Sequence, residues 1–312
     1  MNKLFFLPLA VFLFGCNSNP QIQMKEKESV APYYLVNGEK FDVQGHRGGR
    51  GLWPENSLYG FLKAVDMKVT TLEMDVVVSM DHHVVVSHDP FFNPGICVDA
   101  DGKRLDENQF VNIYKLPYNQ VKEFDCGSLP YPRFPDQEKH TVHKPLLKEV
   151  IRKADERCEA NGQAPVHYNI EIKSRPEWDG EYQPSNPEEY VQLVLDTIAP
   201  LLDYKRFTIQ SFDIRILESI KKYDPKVRLV YLLEEVDLTP EITNNLSFTP
   251  DVISPDFELL SPELIESYHQ MGIKVIPWTV NEEADMQRLI DWGVDGIISD
   301  YPDRLLEVVK SN

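Results

Sequence analysis

The stretch TLEMDVVVSMDHHVVVSHD, Thr71 to Asp89, reads as two strands joined by a very short link. Two carboxylates stand on it at i and i+2, Glu73 and Asp75, and a His-Asp pair, His88 and Asp89, closes it. Strand residues i and i+2 share one face, so the two acids point the same way. Like charges held side by side repel unless a cation sits between them. Two acids with a histidine nearby therefore make a candidate metal site with an acid or base beside it. A solvated strand face is the plainer alternative, and the flanking valine runs weigh against it because they make both strands look buried. Four residues separate Ser79 from Val84, whereas a parallel neighbour needs a crossover of about a dozen or more. The second strand is thus expected to be an antiparallel hairpin arm or to leave the main sheet.

Upstream, Phe41 to Gly45 is a short strand ending at the glycine-rich turn His46-Arg47-Gly48-Gly49-Arg50-Gly51. Pro54-Glu55-Asn56-Ser57 then opens a helix with Leu58, Phe61, Leu62 and Val65 at i, i+3, i+4 and i+7. Downstream, residues 90–143 show no clean periodicity and are rich in Gly, Pro, Asn and Asp. A structureless segment of that length is unusual inside a compact domain, so it is expected to be an insertion packed over one end, a candidate lid. A regular rhythm follows a helix with Leu147, Val150, Ile151, Ala154 and Cys158 on one stripe. Further helices are read from Pro187, Ile214, Ser261 as N-cap, Asn281 as N-cap and the run Leu305, Leu306, Val309. Without the hairpin arm, strands begin near Val43, Leu72, Ile170, Thr208, Leu229, Val252, Val275 and Ile297. Eight strands alternating with helices predict an α/β fold, a (β/α)8 TIM barrel with an irregular insertion near residues 90–143. His46, Glu73, Asp75, Glu171, Lys173, Gln210 and Trp278 all fall at strand C-terminal ends, the face where barrel active sites are built.

Composition narrows the partners. A formal net charge of -18 argues against nucleic acid or an anionic membrane surface. Lys3 precedes an apolar run, Leu4 to Phe14, that is too short to span a bilayer. It ends at Gly15-Cys16, and Leu13-Phe14-Gly15-Cys16 resembles a bacterial lipobox. The expected organisation is a lipoprotein signal over 1–16 with lipidation at Cys16, a tether over 17–40 and a catalytic domain over 41–312. The expected location is exported, lipid-anchored to a bacterial membrane. In an exported protein Cys97 and Cys126 can pair, and Cys158 falls on a helix stripe as a buried free thiol.

Glu73, Asp75 and Glu171 would bring three carboxylates into one mouth. Hard oxygen donors suit Ca²⁺ or Mg²⁺ and argue against zinc. Arg47 and Lys173 add phosphate-binding cations, and His46 and His88 offer a base and an acid near neutral pH. This set fits phosphodiester cleavage better than glycoside hydrolysis. Each residue has a blander role: a turn cap for His46, a core histidine for His88, a plain ion pair for Glu171 and Lys173, a barrel-filling aromatic for Trp278.

His46-Arg47-Gly48, Pro54-Glu55-Asn56-Ser57, Glu73-x-Asp75, His88-Asp89, Asn169 to Lys173, Gln210-Ser211-Phe212, Trp278 to Asn281 and Gly293 to Asp300 together resemble the glycerophosphodiester phosphodiesterases. The resemblance runs in order from about Phe41 to Pro302. It implies the same barrel with an insertion, His46 and His88 as acid–base pair, and one divalent cation, Ca²⁺ or Mg²⁺, on Glu73, Asp75 and Glu171. It also implies phosphate held by Arg47 and Lys173, with Gln210 and Trp278 against the substrate. The reaction implied is attack by the glycerol 2-hydroxyl on phosphorus, then opening of the cyclic phosphate by water. Its products are glycerol 3-phosphate and an alcohol, from substrates such as glycerophosphocholine or glycerophosphoethanolamine. The alternatives are a phospholipase C- or D-like enzyme on intact lipids and a non-catalytic surface lipoprotein on the same barrel.

Overall fold

The computed structural model describes residues 33–312 apart from 109 and 235; the Cys16 expectation lies outside the described residues. The fold is α/β. Eight strands run parallel: β2 (Glu39–Gly45), β3 (Thr71–Val78), β5 (His167–Ile172), β6 (Phe207–Ser211), β7 (Leu229–Leu233), β8 (Val252–Pro255), β9 (Lys274–Val275) and β10 (Gly296–Ser299). Each pairs with the next up to β9, and β10 pairs back onto β2. Backbone bonds from Asp295 N to Val275 O and from Ile298 N to Pro277 O join the remaining two ends.

Two strands lie off this ring. β4 (Val84–Val86) pairs antiparallel with β3 through Val76–Val86 and Val78–Val84; it is the hairpin arm expected from the four-residue link. β1 (Tyr34–Val36) pairs antiparallel with β2. The tether expected over 17–40 is corrected by this pairing: residues 34–40 belong to the fold, because a two-residue turn at Asn37 and Gly38, both at positive φ, folds β1 back.

The ring strands carry two different faces, as the period of two requires. Val43, Leu72, Met74, Ile170, Ile209, Ile253 and Ile297 pack outward into one large core with the helices. Those helices are α1 (Leu58–Met67), α3 (Leu147–Ala160), α4 (Pro187–Ile198), α5 (Ile214–Tyr223), α6 (Pro262–Gln270), α7 (Glu283–Trp292) and α8 (Pro302–Ser311); α2 (Tyr118–Val121) is a single turn in the insertion. After β7 the covering element is not an α-helix but a 3₁₀ run, Pro240–Asn245. Inside the ring, Val230, Val252, Ile276 and Ile298 form a small apolar cluster with Trp278 packed against it, beside buried polar side chains that include Gln44, Asn169 and Gln210.

Helix starts follow local chemistry. Ser57 and Ser261 each accept a bond from an orphan N–H of the first turn, Gly60 and Leu264. Asn281 does not cap α7: the N-cap is Glu282, and the Asn281 amide is drawn to Asp300, donating at 2.9 Å and accepting from the Asp300 N–H at 3.0 Å.

The insertion packs at the C-terminal end of the ring, where Gln137 Nε2 donates to Arg50 O, the Glu138 N–H to Leu52 O and Asn112 Nδ2 to Glu181 O. Phe92, Ile96, Ile113 and Val121 form their own cluster on Val77 and Val85 of the β3–β4 hairpin. Cys97 and Cys126 are joined in a disulfide, and Cys158 is a buried free thiol. Crosslinking positions 29 apart removes loop entropy from the unfolded chain worth about 3–4 kcal/mol. This segment lacks a helical or strand period to hold it, and the crosslink and its small apolar cluster take that role.

Candidate active site

The site forms where the C-terminal ends of β2, β3, β5 and β6 meet. After β2 the chain turns through a 3₁₀ run, His46–Gly48, with Arg47 at φ 49 and Gly48 at φ 81. A Cβ on Gly48 would lie 3.0 Å from the Phe61 nitrogen of α1, so only glycine fits that close approach. The turn aims the Arg47 N–H at Glu73 Oε2, 2.8 Å away.

Glu73, Asp75 and Glu171 each offer a carboxylate oxygen within 4.8 Å of the others, all three buried. Burial, then repulsion from Asp75, pushes the Glu73 carboxyl well above the usual carboxylate range. Burial pushes Glu171 up to about 7 against the pull of Lys173. Burial acts on Asp75 in the same sense, but Arg47, His88 and Lys173 outweigh it and hold that carboxyl well below its ordinary value. The surrounding groups fix the orientation of the set. Gln210 Nε2 donates to Glu73 Oε1 at 2.8 Å, Asn56 Nδ2 to Asp75 Oδ2 at 2.7 Å, and Lys173 Nζ sits 2.7 Å from Glu171 Oε1. Asp75 Oδ1 is buried with no hydrogen-bond partner. An orphaned carboxylate oxygen facing two more buried acids is a donor set for a hard divalent cation.

Each histidine is held by an aspartate. His46 Nδ1 lies 2.6 Å from Asp300 Oδ1, and its Nε2 accepts from Arg47 Nε at 3.3 Å. Arg50 Nε also donates to Asp300 Oδ1 at 2.6 Å. Despite burial, His46 and Arg50 hold Asp300 well below its usual range, so it is an acceptor and the His46 proton sits on Nδ1. Burial, then Arg50, brings His46 down to about 4, which leaves Nε2 a free base at neutral pH. His88 Nδ1 lies 2.9 Å from Asp89 Oδ1 and its Nε2 3.2 Å from Lys173 Nζ. Burial, then Arg47 and Lys173, lowers its pKa as well.

These groups line a cavity of about 460 Å³, together with Arg47, Phe91, Trp178, Gln210, Phe212 and Trp278. Eight of the nine candidate residues between His46 and Trp278 line it, and the ninth, Asp75, has a carboxylate oxygen within 4.8 Å of those of Glu73 and Glu171. Gln210 reaches the cavity with its amide already engaged by Glu73, and Trp278 stands edge-on to Phe212 with its indole N–H given to Ser254 O. Of residues 90–143, Phe91 alone is among the described lining residues; the lid expected there is a side wall. Sequence reasoning left Asp300, Arg50 and Asn56 without roles. Asp300 follows the C-terminal end of β10 as His46 follows that of β2, so the rule that found His46 applied to it too.

A buried amide column runs beneath the carboxylates. Gln210 Oε1 accepts from Asn169 Nδ2, which also donates to Gln44 Oε1, both at 2.9 Å. Thr208 Oγ1 donates to Asn169 Oδ1, and Gln44 Nε2 donates to Asp42 Oδ2. Every member thus has a partner, which low-dielectric burial demands.

The glycerophosphoryl diester phosphodiesterase family model matches residues 46–304. A glycerophosphodiester phosphodiesterase of Bacillus subtilis is 26% identical over 88% of this chain and 89% of its own. A lysophospholipase D of Rattus norvegicus is 27% identical over 85% of each. A solved structure from Silicibacter pomeroyi DSS-3 superposes with a TM-score of 0.79 at 28% identity, over 89% of this chain and 95% of that one. The fold is shared by an Oleispira antarctica phosphodiesterase solved with its product sn-glycerol-3-phosphate, with a TM-score of 0.68, 21% identity and coverage of 86% and 96%. The matched span begins at the His46 turn and runs past Asp300 at the far side of the same site, and on that footing the chain belongs to the glycerophosphoryl diester phosphodiesterase family.

Proposed function

We propose that this protein hydrolyses glycerophosphodiesters such as glycerophosphocholine and glycerophosphoethanolamine to glycerol 3-phosphate and an alcohol. It does so on a (β/α)8 barrel, with one Ca²⁺ or Mg²⁺ held by Glu73, Asp75 and Glu171. The observation that carries the reading is the convergence of three buried carboxylates, one with an orphaned oxygen, on two aspartate-held histidines. A bound divalent cation supplies Lewis-acid polarisation of a phosphoryl oxygen. Arg47 and Lys173 turn from their carboxylates to the phosphate oxygens. His46 Nε2 takes the proton of the attacking glycerol 2-hydroxyl as the new P–O bond forms. His88 gives a proton to the oxygen of the departing alcohol as the old P–O bond breaks. Its ring is held through Nδ1 by Asp89 at 2.9 Å and is the more exposed of the two, 30% against 9%. The roles then reverse as water opens the cyclic phosphate.

Glycerol 3-phosphate release from both diesters, with EDTA, Ca²⁺ and Mg²⁺ arms, tests this. We expect turnover in a metal arm and none with EDTA or in His46→Ala. Metal binding without release from either diester would sink the reading. A second substrate class, lysophospholipids, draws support from an aromatic row at the mouth: the Phe91 ring lies 4.5 Å from that of Phe110, which is 52% exposed, and 6.3 Å from that of Tyr182. Faster turnover of a lysophospholipid than of either diester would favour it.

The exported, lipid-anchored location belongs to the same proposal. The Cys97–Cys126 disulfide supports an oxidising compartment. Labelled palmitate should enter the full chain in bacterial cells and not Cys16→Ser; equal labelling of both would refute the anchor at that position.

A further inference from the structure

A second cavity, of about 580 Å³, lies at the opposite end of the ring, between the starts of the strands. Its wall includes Asn169 and Thr208 from the base of the amide column. Lys40, Lys205, Arg228 and Lys274 stand around it, against two lining carboxylates, Asp42 and Asp295. In a chain of net charge -18, a local surplus of cations is a departure that needs a cause.

The two carboxylates are already committed. Asp42 accepts from Thr70, Thr71 and Gln44. Asp295 Oδ2 accepts from the Val275 N–H and faces His269 Nε2 at 2.9 Å. Lys274 reaches Asp295 at 3.9 Å, while Lys40, Lys205 and Arg228 make no ion pair within 4.0 Å among the described residues. Arg228 Nη2 is spent on two carbonyl oxygens, those of Lys205 and Phe207, and its Nε is buried with no partner at all. Burial pulls this guanidinium below its ordinary pKa, with Asp251, Asp42 and Asp203 opposing too weakly to restore it. A half-buried guanidinium without a carboxylate is costly, and three further cations around the same space raise that cost.

We propose that this cavity binds a small phosphomonoester or phosphate dianion, anchored by Arg228, Lys40 and Lys205 at the strand starts. Guanidinium and ammonium donors converging on one space suit tetrahedral phosphate. The Thr208 hydroxyl and Asn169 amide supply neutral polar surface. The volume exceeds that of phosphate alone and admits a small organic group on it. The site is independent of the reaction proposed above: the two cavities share no lining residue and are linked through the Asn169–Gln210 hydrogen bond.

The test is calorimetric titration of the full chain with inorganic phosphate and with glycerol 3-phosphate at fixed ionic strength. It compares the parent, Arg47→Gln at the reacting end, Arg228→Gln, and the exposed pair Lys40→Gln/Lys205→Gln. The floor site predicts a binding event that survives Arg47→Gln and weakens at least tenfold in Arg228→Gln and in the lysine pair. It also predicts diesterase kcat/KM within about twofold of the parent in the lysine pair. Loss of all binding in Arg47→Gln overturns the proposal, as does parental binding in the lysine pair. The exposed lysines keep the test valid if Arg228→Gln does not fold.

Discussion

Asp300→Asn is expected to lower kcat for glycerophosphodiesters about a thousandfold while leaving KM within a few-fold. Asparagine keeps the shape of the side chain and can still meet Asn281, but its amide has no fixed charge to hold His46 Nδ1–H. The Asp300 carboxylate accepts from His46, Arg50 and Asn281 at once, so three side chains rely on one acceptor. Without it the ring is free to take the other tautomer, which puts the proton on Nε2 and removes the base. The imidazolium formed during turnover also loses the anion beside it. General acid–base groups contribute about 10²–10⁴ in rate, and loss of an orienting aspartate falls in the upper part of that range. The pair of readouts matters, because a fault in substrate binding would move KM instead. Asp300→Ala should add destabilisation of about 3 kcal/mol, since Arg50, 5% exposed at its side chain, would keep only Glu55 at 3.9 Å as a counter-charge. A kcat for Asp300→Asn within about fivefold of the parent would show that the ring is oriented by something else.

Removal of the cation has the second large effect. Chelation, or Glu73→Gln, is expected to abolish turnover, and ion binding should itself depend steeply on pH. Glu171 titrates at about 7 and Glu73 well above its usual range. The metal-free site near pH 7 therefore still binds protons, on Glu171 and on Glu73, that a cation must expel. The sign follows: both groups bind protons more tightly folded than unfolded, protons compete with the ion, and affinity rises with pH. Through pH 6–7 the association constant should climb by up to about tenfold per pH unit for each proton expelled. Titrations in buffers of different ionisation enthalpy read the proton release directly. No release, with affinity flat between pH 6 and 8, would mean the ion binds elsewhere. Glu73 and Asp75 were the easiest part of this site to read, because the i, i+2 spacing on β3 and its buried valine flanks fix their common face.

Other parts of the molecule were legible in proportion to how local their causes are. The β3–β4 hairpin follows from a link too short for any crossover, and the caps at Ser57 and Ser261 follow from hydroxyls that reach their own first turns. Asn281 carries an equally good cap signal, yet a buried aspartate 19 residues on outcompetes the helix for its amide. The roles of Asp300 and Arg50 are set by partners about 250 residues away, and no window of sequence contains both ends of such a bond. The insertion was visible as an interruption packed over one end, but its anchorage on Val77 and Val85 of the β3–β4 hairpin was not. Its position depends on a crosslink and a handful of apolar contacts rather than on a repeat. The 3₁₀ run after β7 and the early start of the fold at β1 escaped for a related reason, since neither Pro240–Asn245 nor Tyr34–Val36 is long enough to declare a period.

The amide column has a consequence for anyone who would move this chemistry to another scaffold. Many barrels offer a ring of eight strand ends, and a designer can place three carboxylates and two histidines on them. Glu73 here stands on Gln210, Gln210 on Asn169, and Asn169 on Gln44 and Thr208. An acceptor barrel filled with Val, Ile and Leu would leave the grafted glutamate without a donor and free to choose its rotamer. A transplant of five residues should therefore bind metal loosely and turn over poorly, and adding the four polar residues beneath them is the step that restores register.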